Sequence, residues 1–411
     1  MHKKTLSIFI SALAAAAAFA GNSYFGGTSD KDALKYKVGE PMKFSITYYN
    51  DKGEVVEGQK LKWFCDGDDG KKSSGEAVSA KTPLVITTSA SRPGFTHVVV
   101  TPVDDAGKQT VNSDKYEGGA GAEIEKLTQS APEPEDFDEF WKKQLKALAQ
   151  VPMNAKVKPV ESKDPSLNVF ELTLDCVGKP AKAYLTIPKN AAKKSLPIAM
   201  YVHGYGVGRI APVYGKGVIS LTVARHSYEL GQNDEYYKQQ KKLLEGFGMR
   251  AKDNASPEDN YFKFMILRDL RALQYAKSLP EWNGKTITVQ GGSMGGFQSI
   301  FVAALDRSVT LCRPNVPWMC NLNGKAAGYL DARFRPEYLP TVNYFDSVNA
   351  IKRVRCPVEI NARLGDYVCP PSGISILYNN CSAPVKLTFE QNGTHGYSSI
   401  SKNTQVYKIS K

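Results

Sequence analysis

Histidine is scarce in this chain, with five in 411 residues, and seven cysteines stand at spacings that fit neither a zinc site nor a small disulfide framework. Metal chemistry built on those two residue types has no footing here. Cys65 is alone in the first third, so buried thiols with at most one or two bridges are expected. Beyond the N-terminus no apolar run approaches the length of a membrane span. Acidic residues are outnumbered, leaving a net charge of +12 to which Lys3 and Lys4 contribute two. The lysines are dispersed, with Lys193-Lys194 and Lys241-Lys242 the densest pairs, which gives no stripe for nucleic acid. A solvated basic surface is expected, with long-range attraction to acidic polysaccharide as its alternative use. Internal repeats and low-complexity blocks are absent.

What is present describes a globular protein: 42% hydrophobic and 23% charged residues. The length exceeds one ordinary core and predicts two domains. Met1–Ala20 carries Lys3 and Lys4, an alanine-rich apolar run and Ala18-Phe19-Ala20. This pattern predicts a secretory signal peptide cleaved before Gly21, and hence an exported protein, periplasmic or secreted.

The most informative stretch runs from Thr286 to Phe297. A β-branched run enters Gly291-Gly292-Ser293-Met294-Gly295-Gly296, and an apolar, helix-compatible segment follows from Gln298 to Leu305. Strand, sharp turn and helix in that order predict a nucleophile elbow with Ser293 at its apex. Small residues flank the serine because the turn crowds its neighbours.

In chain order, residues 21–117 read as a small immunoglobulin-like β-sandwich. Its expected strands are Met42–Tyr49, Lys60–Cys65, Pro83–Thr88 and Thr96–Val103. The acidic turn Asp66–Gly70 does not match a calcium loop and reads as a hairpin. Gly118-Gly119-Ala120-Gly121 and Ala131-Pro132-Glu133-Pro134 mark residues 118–134 as a boundary region. Residues 135–411 form the expected second domain. It opens with a helix to Ala149, started by a capping box of Asp136 and Glu139. Strands follow at Val169–Cys176, Ala181–Ile187, Leu196–Val202 and Val218–Ala224. A long helix is expected over Asp259–Leu279, then strands at the elbow, near Thr310, at Pro357–Asn361 and, last, at Val385–Phe389. The alternation predicts a mostly parallel, doubly wound sheet covered on both faces. Leu196–Val202, continuous in apolar character, reads as a strand buried on both sides.

A serine hydroxyl attacks only when a base takes its proton and an acid orients that base. In α/β-hydrolases the chain order is serine, acid, histidine. His395 is the one histidine after Ser293, and it lies beyond the last expected strand. Asp306, Asp331, Asp346 and Asp366 are the candidate acids. Asp366 is favoured because it sits in a short loop after a strand. The backbone N–H groups of Met294 and of Tyr205, in His203-Gly204-Tyr205, are the candidate oxyanion donors. Trp318 and Tyr397 are candidate pocket residues, with packing as the equal alternative.

Asp136-Phe137-Asp138-Glu139-Phe140-Trp141, His203-Gly204-Tyr205, the Ser293 elbow, Leu305-Asp306-Arg307 and Asn315-Val316-Pro317 together resemble the acetyl xylan esterase / cephalosporin C deacetylase family. Tyr344-Phe345-Asp346, Gly365-Asp366 with Cys369-Pro370-Pro371, and Asn392–His395 belong to the same resemblance, which spans roughly residues 132–400. It implies an α/β-hydrolase that removes acetyl groups from sugar hydroxyls with Ser293, Asp366 and His395 as triad. It implies no metal or other cofactor, an acetylated oligo- or polysaccharide as partner, and room for a homo-oligomer. Three positions depart from the family pattern: Met294 replaces a frequent glutamine, Arg225-His226-Ser227 stands for an arginine-glycine-glutamine motif, and Gly396 replaces a frequent glutamate. The rival expectations are a serine peptidase of the prolyl-oligopeptidase kind and a polysaccharide-binding protein with a silent hydrolase domain.

Overall fold

The computed structural model describes residues 23–110, 115–396 and 404–411. The expected signal segment Met1–Ala20 and Tyr397 lie outside the described residues.

Seven strands come first: β1 (Tyr24–Ser29), β2 (Met42–Tyr49), β3 (Lys60–Gly67), β4 (Lys72–Val78), β5 (Leu84–Thr88), β6 (Gly94–Pro102) and β7 (Tyr116–Ala122). They build two antiparallel sheets, ordered β1-β2-β5 and β4-β3-β6-β7. Period-two patterning drives this: in β2, Met42, Phe44, Ile46 and Tyr48 are buried while the residues between them are not. The acidic turn is the β3–β4 hairpin. Within it Asp68 is buried, and its carboxylate accepts the N–H groups of Phe95 at 2.7 Å and Leu330 at 2.8 Å. The glycine run Gly118–Gly121, expected to mark a boundary, is the interior of β7 and is buried throughout. Glycine there signals close approach of another backbone, which local reading cannot distinguish from a turn.

The later elements are α1 (Phe137–Gln150), β8 (Lys156–Val160), β9 (Leu167–Leu174), β10 (Ala181–Pro188), β11 (Leu196–Val202), β12 (Ile219–Val223), α2 (Asp234–Leu243) and α3 (Tyr261–Lys277). They continue with β13 (Trp282–Gly292), α4 (Met294–Leu305), β14 (Leu311–Asn315), α5 (Ser347–Ile351), β15 (Val358–Arg363), α6 (Pro371–Asn380), β16 (Val385–Glu390) and β17 (Val406–Ser410). The expected capping box of α1 does not form, because the Asp136 carboxylate accepts the Tyr344 hydroxyl instead. Phe137, Phe140, Trp141 and Leu148 are the buried stripe of that helix. Asn260 caps α3 by accepting the Phe262 N–H at 2.9 Å.

A ten-stranded sheet runs β17-β16-β15-β14-β13-β11-β12-β10-β9-β8. Its centre, β12 to β16 in spatial order, is parallel, and β8, β9, β10 and β17 join antiparallel. The chain thus has an α/β fold with a large mixed sheet and small N-terminal β-sheets. β17 follows His395 in the chain, so Val385–Glu390 is not the last strand as expected. One continuous core joins the N-terminal sheets to the α/β part, with Phe95 against Phe389 at 5.8 Å between ring centres.

Coverage on both faces holds only in part. A second, small core of Val169, Tyr184, Ile210, Tyr228 and Tyr237 covers the far face of β9 and β10. From β11 to β17 that face is open: Tyr201, Gln290, Arg313, Glu359, Asn361, Lys386 and Lys408 line a concavity of about 770 Å³. β11 accordingly alternates, burying Leu196, Ile198, Met200 and Val202 while Pro197, Ala199 and Tyr201 stay half-exposed. No helix separates β11 from β12: residues 203–218 form a loop, interrupted by Gly204, Gly206, Gly208, Pro212, Gly215 and Gly217. No helix among the described residues is long and apolar enough to cross a membrane.

Candidate active site

β13 delivers the chain to Ser293 at φ 58°, ψ −121°, and α4 starts at the next residue. Few side chains tolerate that conformation, and tertiary contacts hold it. The Ser293 N–H donates to Asn315 O at 2.9 Å, and Ser293 O accepts the N–H groups of Phe297 and Trp318, each at 3.1 Å. The flanking glycines answer to close approach. A Cβ on Gly291 or on Gly295 would stand 2.5 Å from Val202 O.

His395 sits in the loop after β16. Its Nδ1–H donates to Asp366 Oδ2 at 2.8 Å, which leaves Nε2 to accept the Ser293 hydroxyl at 3.0 Å. Asp366 lies in the loop after β15 and is fully buried; its other oxygen accepts the N–H groups of Val368 at 2.9 Å and Cys369 at 3.0 Å. The three sequence-selected side chains are therefore hydrogen-bonded in series. The other candidate acids are engaged elsewhere: Asp306 with Lys277, Asp331 with Arg335, and Asp346 as the N-cap of α5.

Gly204 packs against the elbow, a Cβ placed on it falling 3.7 Å from Ser293 Cβ. This brings the Tyr205 backbone beside the first turn of α4. Met294 is the first residue of α4, where an N–H has no carbonyl of its own helix to meet. Among the described residues the Tyr205 N–H makes no backbone bond outside helices and strands, so these two are the candidate donors. The Met294 side chain is wholly buried, and only its backbone can serve the site.

Sequence reading missed how the Tyr205 loop is held. Arg225 Nε donates to Gly206 O at 2.5 Å and His226 Nε2–H to the same oxygen at 2.8 Å. The Tyr261 hydroxyl donates to His226 Nδ1 at 2.5 Å, and Tyr228 OH donates to Gly208 O at 2.5 Å. Burial pushes His226 down to about 3, so its ring is neutral. Burial and nearby Arg225 likewise push His203 down to about 4. These ties link residues distant in sequence and leave no local signature.

Trp318 is 1% exposed and packs beneath the site, its indole N–H donating to Phe334 O at 2.8 Å. Phe334, 36% exposed, is the aromatic that meets solvent; it stacks on Trp318 at 5.6 Å and meets the edge of Tyr205 at 4.8 Å. Phe247 stacks on the Tyr205 ring at 4.1 Å. Neither phenylalanine was selected from the sequence. Metal-type donors meet among the described residues in Asp366, Cys369 and His395, within 4.8 Å. Asp366 and His395 already satisfy each other, and burial pushes the Cys369 thiol well up, against thiolate ligation.

A family model described as acetyl xylan esterase (AXE1) matches residues 121–328 and 329–411. The acetyl esterase Axe7A of Xylanibacter ruminicola is 31% identical over 298 residues, which cover 68% of this chain and 67% of that protein. In fold, the chain resembles the acetyl xylan esterase of Paenibacillus sp. R4, with TM-score 0.52 and 23% identity over 66% of this chain and 93% of that one. It also resembles acetyl xylan esterase 1 of Thermoanaerobacterium sp. JW/SL YS485, with TM-score 0.53 and 20% identity over 66% and 92% of the two chains.

Proposed function

Because the chain belongs to the acetyl xylan esterase family, and is thereby a hydrolase, we propose that it removes O-acetyl groups from carbohydrate through an acetyl-enzyme intermediate. The observation that carries the mechanism is the Asp366–His395–Ser293 series, at 2.8 and 3.0 Å. His395 Nε2 takes the Ser293 proton as Oγ attacks the acetyl carbonyl carbon. Asp366 holds the ring in the required tautomer and stabilises the imidazolium. The N–H groups of Tyr205 and Met294 meet the oxyanion, each worth roughly 3 kcal/mol in the transition state. His395 then gives its proton to the departing sugar oxygen. It next takes one from water, whose attack on the acetyl carbon releases acetate and restores Ser293.

We read the substrate as acetylated xylan or a related oligosaccharide, and Met1–Ala20 as an export signal. We also read the N-terminal strands as an immunoglobulin-like sandwich, a reading supported by their three-on-four order, β1-β2-β5 against β4-β3-β6-β7.

The test is acetate release from acetylated xylan and other acetylated glycans, beside aminoacyl-amide reporters. Acetate release that falls by roughly 10⁶ in kcat on Ser293→Ala is expected. Cleavage of the amides in preference to acetyl esters would favour the peptidase. Glycan binding without turnover, unchanged in Ser293→Ala, would favour the silent domain. Turnover that survives Ser293→Ala would sink the site assignment.

A further inference from the structure

The strip Gly118-Gly119 lies in β7, the edge strand that pairs with β6 in the four-stranded N-terminal sheet, and it is also where the acid and base loops touch down. Gln391, four positions before His395 and fully buried, pairs its side-chain amide with the backbone of one residue of that strip. Gly119 N–H donates to Gln391 Oε1 at 2.9 Å, and Gln391 Nε2 donates back to Gly119 O at 2.9 Å. Asn392, held at φ 52°, reaches both N-terminal sheets: its Nδ2 donates to Phe25 O of β1 at 2.7 Å, and its Oδ1 accepts the Glu117 N–H of β7 at 3.3 Å.

The acid loop is pressed against the same strand. A Cβ on Gly365 would lie 2.3 Å from Glu117 O, and one on Gly118 would lie 2.2 Å from Gln391 Oε1. Glycine at these positions is thus a condition for the loops to dock. Arg333 donates to the Glu117 carboxylate at 3.0 Å and, through its backbone N–H, to Tyr367 O at 2.6 Å. Tyr367 packs on His97 of β6 with ring centres 4.1 Å apart. The two loops also hold each other, with Gly365 N–H on Gly393 O at 3.0 Å and Arg363 Nη1 on Thr394 O at 2.9 Å.

We propose that the N-terminal β-unit is a positioning device for the reaction, with β7 as the bed on which the Asp366 and His395 loops are registered and Gln391 and Asn392 as the positioning residues. The inference rests on the reading of Ser293, Asp366 and His395 as the reacting set. Small displacements at such a set are costly: an error of about 1 Å can lower turnover roughly 10²-fold.

The test uses the full chain with Gln391→Met, which keeps the length and removes both hydrogen bonds, and Asn392→Gly, which suits the positive φ and removes the side-chain ties. Asn379→Leu is the control. It breaks bonds to Ile124 O and Leu127 O, which also join the N-terminal part to α6 but touch neither loop. Three quantities are read on folded protein: the rate of Ser293 labelling by a fluorophosphonate, kcat and KM on an acetyl ester, and the melting temperature. Labelling and kcat are expected to fall about 10- to 100-fold in each loop variant with KM nearly constant, and Asn379→Leu to keep both rates. Wild-type labelling rates in Gln391→Met and Asn392→Gly overturn the proposal. Equal losses in Asn379→Leu overturn it too, since they would indicate general loosening. A chain that labels at Ser293 but releases no acetate removes the acetyl esterase reading alone, and the positioning proposal is then decided by the labelling rates. No labelling of the unsubstituted chain removes both.

Discussion

Replacing Ser293 by glycine should give a more stable protein than replacing it by alanine, the reverse of the usual order. Both substitutions delete Oγ and its hydrogen bond to His395, so that loss cancels between them. What differs is the backbone. At φ 58°, ψ −121° a Cβ is strained, by roughly 1–3 kcal/mol, and alanine keeps that strain while glycine releases it. Glycine loses about 0.5–1 kcal/mol through the greater freedom of its unfolded chain. The difference leaves Ser293→Gly ahead by about 1 kcal/mol, where an unstrained position would put alanine ahead by a similar amount. For a chain of this length an unfolding entropy near 2 cal/mol/K per residue converts 1 kcal/mol to only about 1 °C. Urea unfolding at neutral pH, read as a midpoint at constant slope, is therefore the assay of choice. Both variants should lack esterase activity, which separates the measurement from catalysis. A midpoint for Ser293→Ala equal to or above that of Ser293→Gly would refute the claim that the elbow stores strain.

Asp366→Asn should keep the fold, because backbone N–H groups still meet the retained oxygen, and should lower kcat roughly 10⁴-fold by favouring the wrong His395 tautomer; steady-state kinetics on an acetyl ester would show it. Acid should weaken the protein from pH 6.5 downward. His226 and His203 are held by burial at about 3 and about 4, against an ordinary 6.5. Their contribution is complete above pH 6.5 and is lost as pH falls toward those values, by on the order of 3 kcal/mol each near pH 4.5. Urea midpoints across that window, shallower in His226→Gln, would establish this; a flat profile would contradict it. All seven thiols are unpaired in the structure, so titration of the unfolded chain without reductant should find seven, and reductant should leave the melting temperature unchanged.

The central strands and the elbow were legible because β-branched runs bounded by glycine have a local signature, and Leu196–Val202 was located to the residue. His395 stood out because one histidine follows Ser293, and Asp366 because it occupies a loop after a strand. Neither argument used packing, yet the three side chains meet. What escaped notice is long-range. The grip of Arg225, His226 and Tyr228 on Gly206 and Gly208 joins segments about twenty positions apart. Phe334 lies in an irregular stretch with no periodicity to place it. The glycines of β7 carry the same letter as turn glycines, and their purpose shows in what crowds them in space: Gln391 and Tyr116 at Gly118, Thr96 O and the Leu364 backbone at Gly119, Phe95 and Ile124 at Gly121.

The open sheet face and the tethered Tyr205 loop have one origin. A parallel connection needs a crossover, and between β11 and β12 a helix would ordinarily supply it while covering the sheet. Residues 203–218 are long enough, but glycine and proline recur too often for a helix to persist. Two consequences follow. The strands beneath must present side chains that tolerate water, as Gln290, Asn361, Lys386 and the Arg313–Glu359 pair at 2.8 Å do. The loop also loses the helix that would have anchored its start, although its Tyr205 N–H must stay fixed beside Ser293 if it is to meet an oxyanion. Arg225, His226 and Tyr228, all just past β12, replace that anchor by hydrogen-bonding its carbonyls from the covered end of the sheet. In this chain a glycine-rich loop without a helix behind it is held in place by side chains.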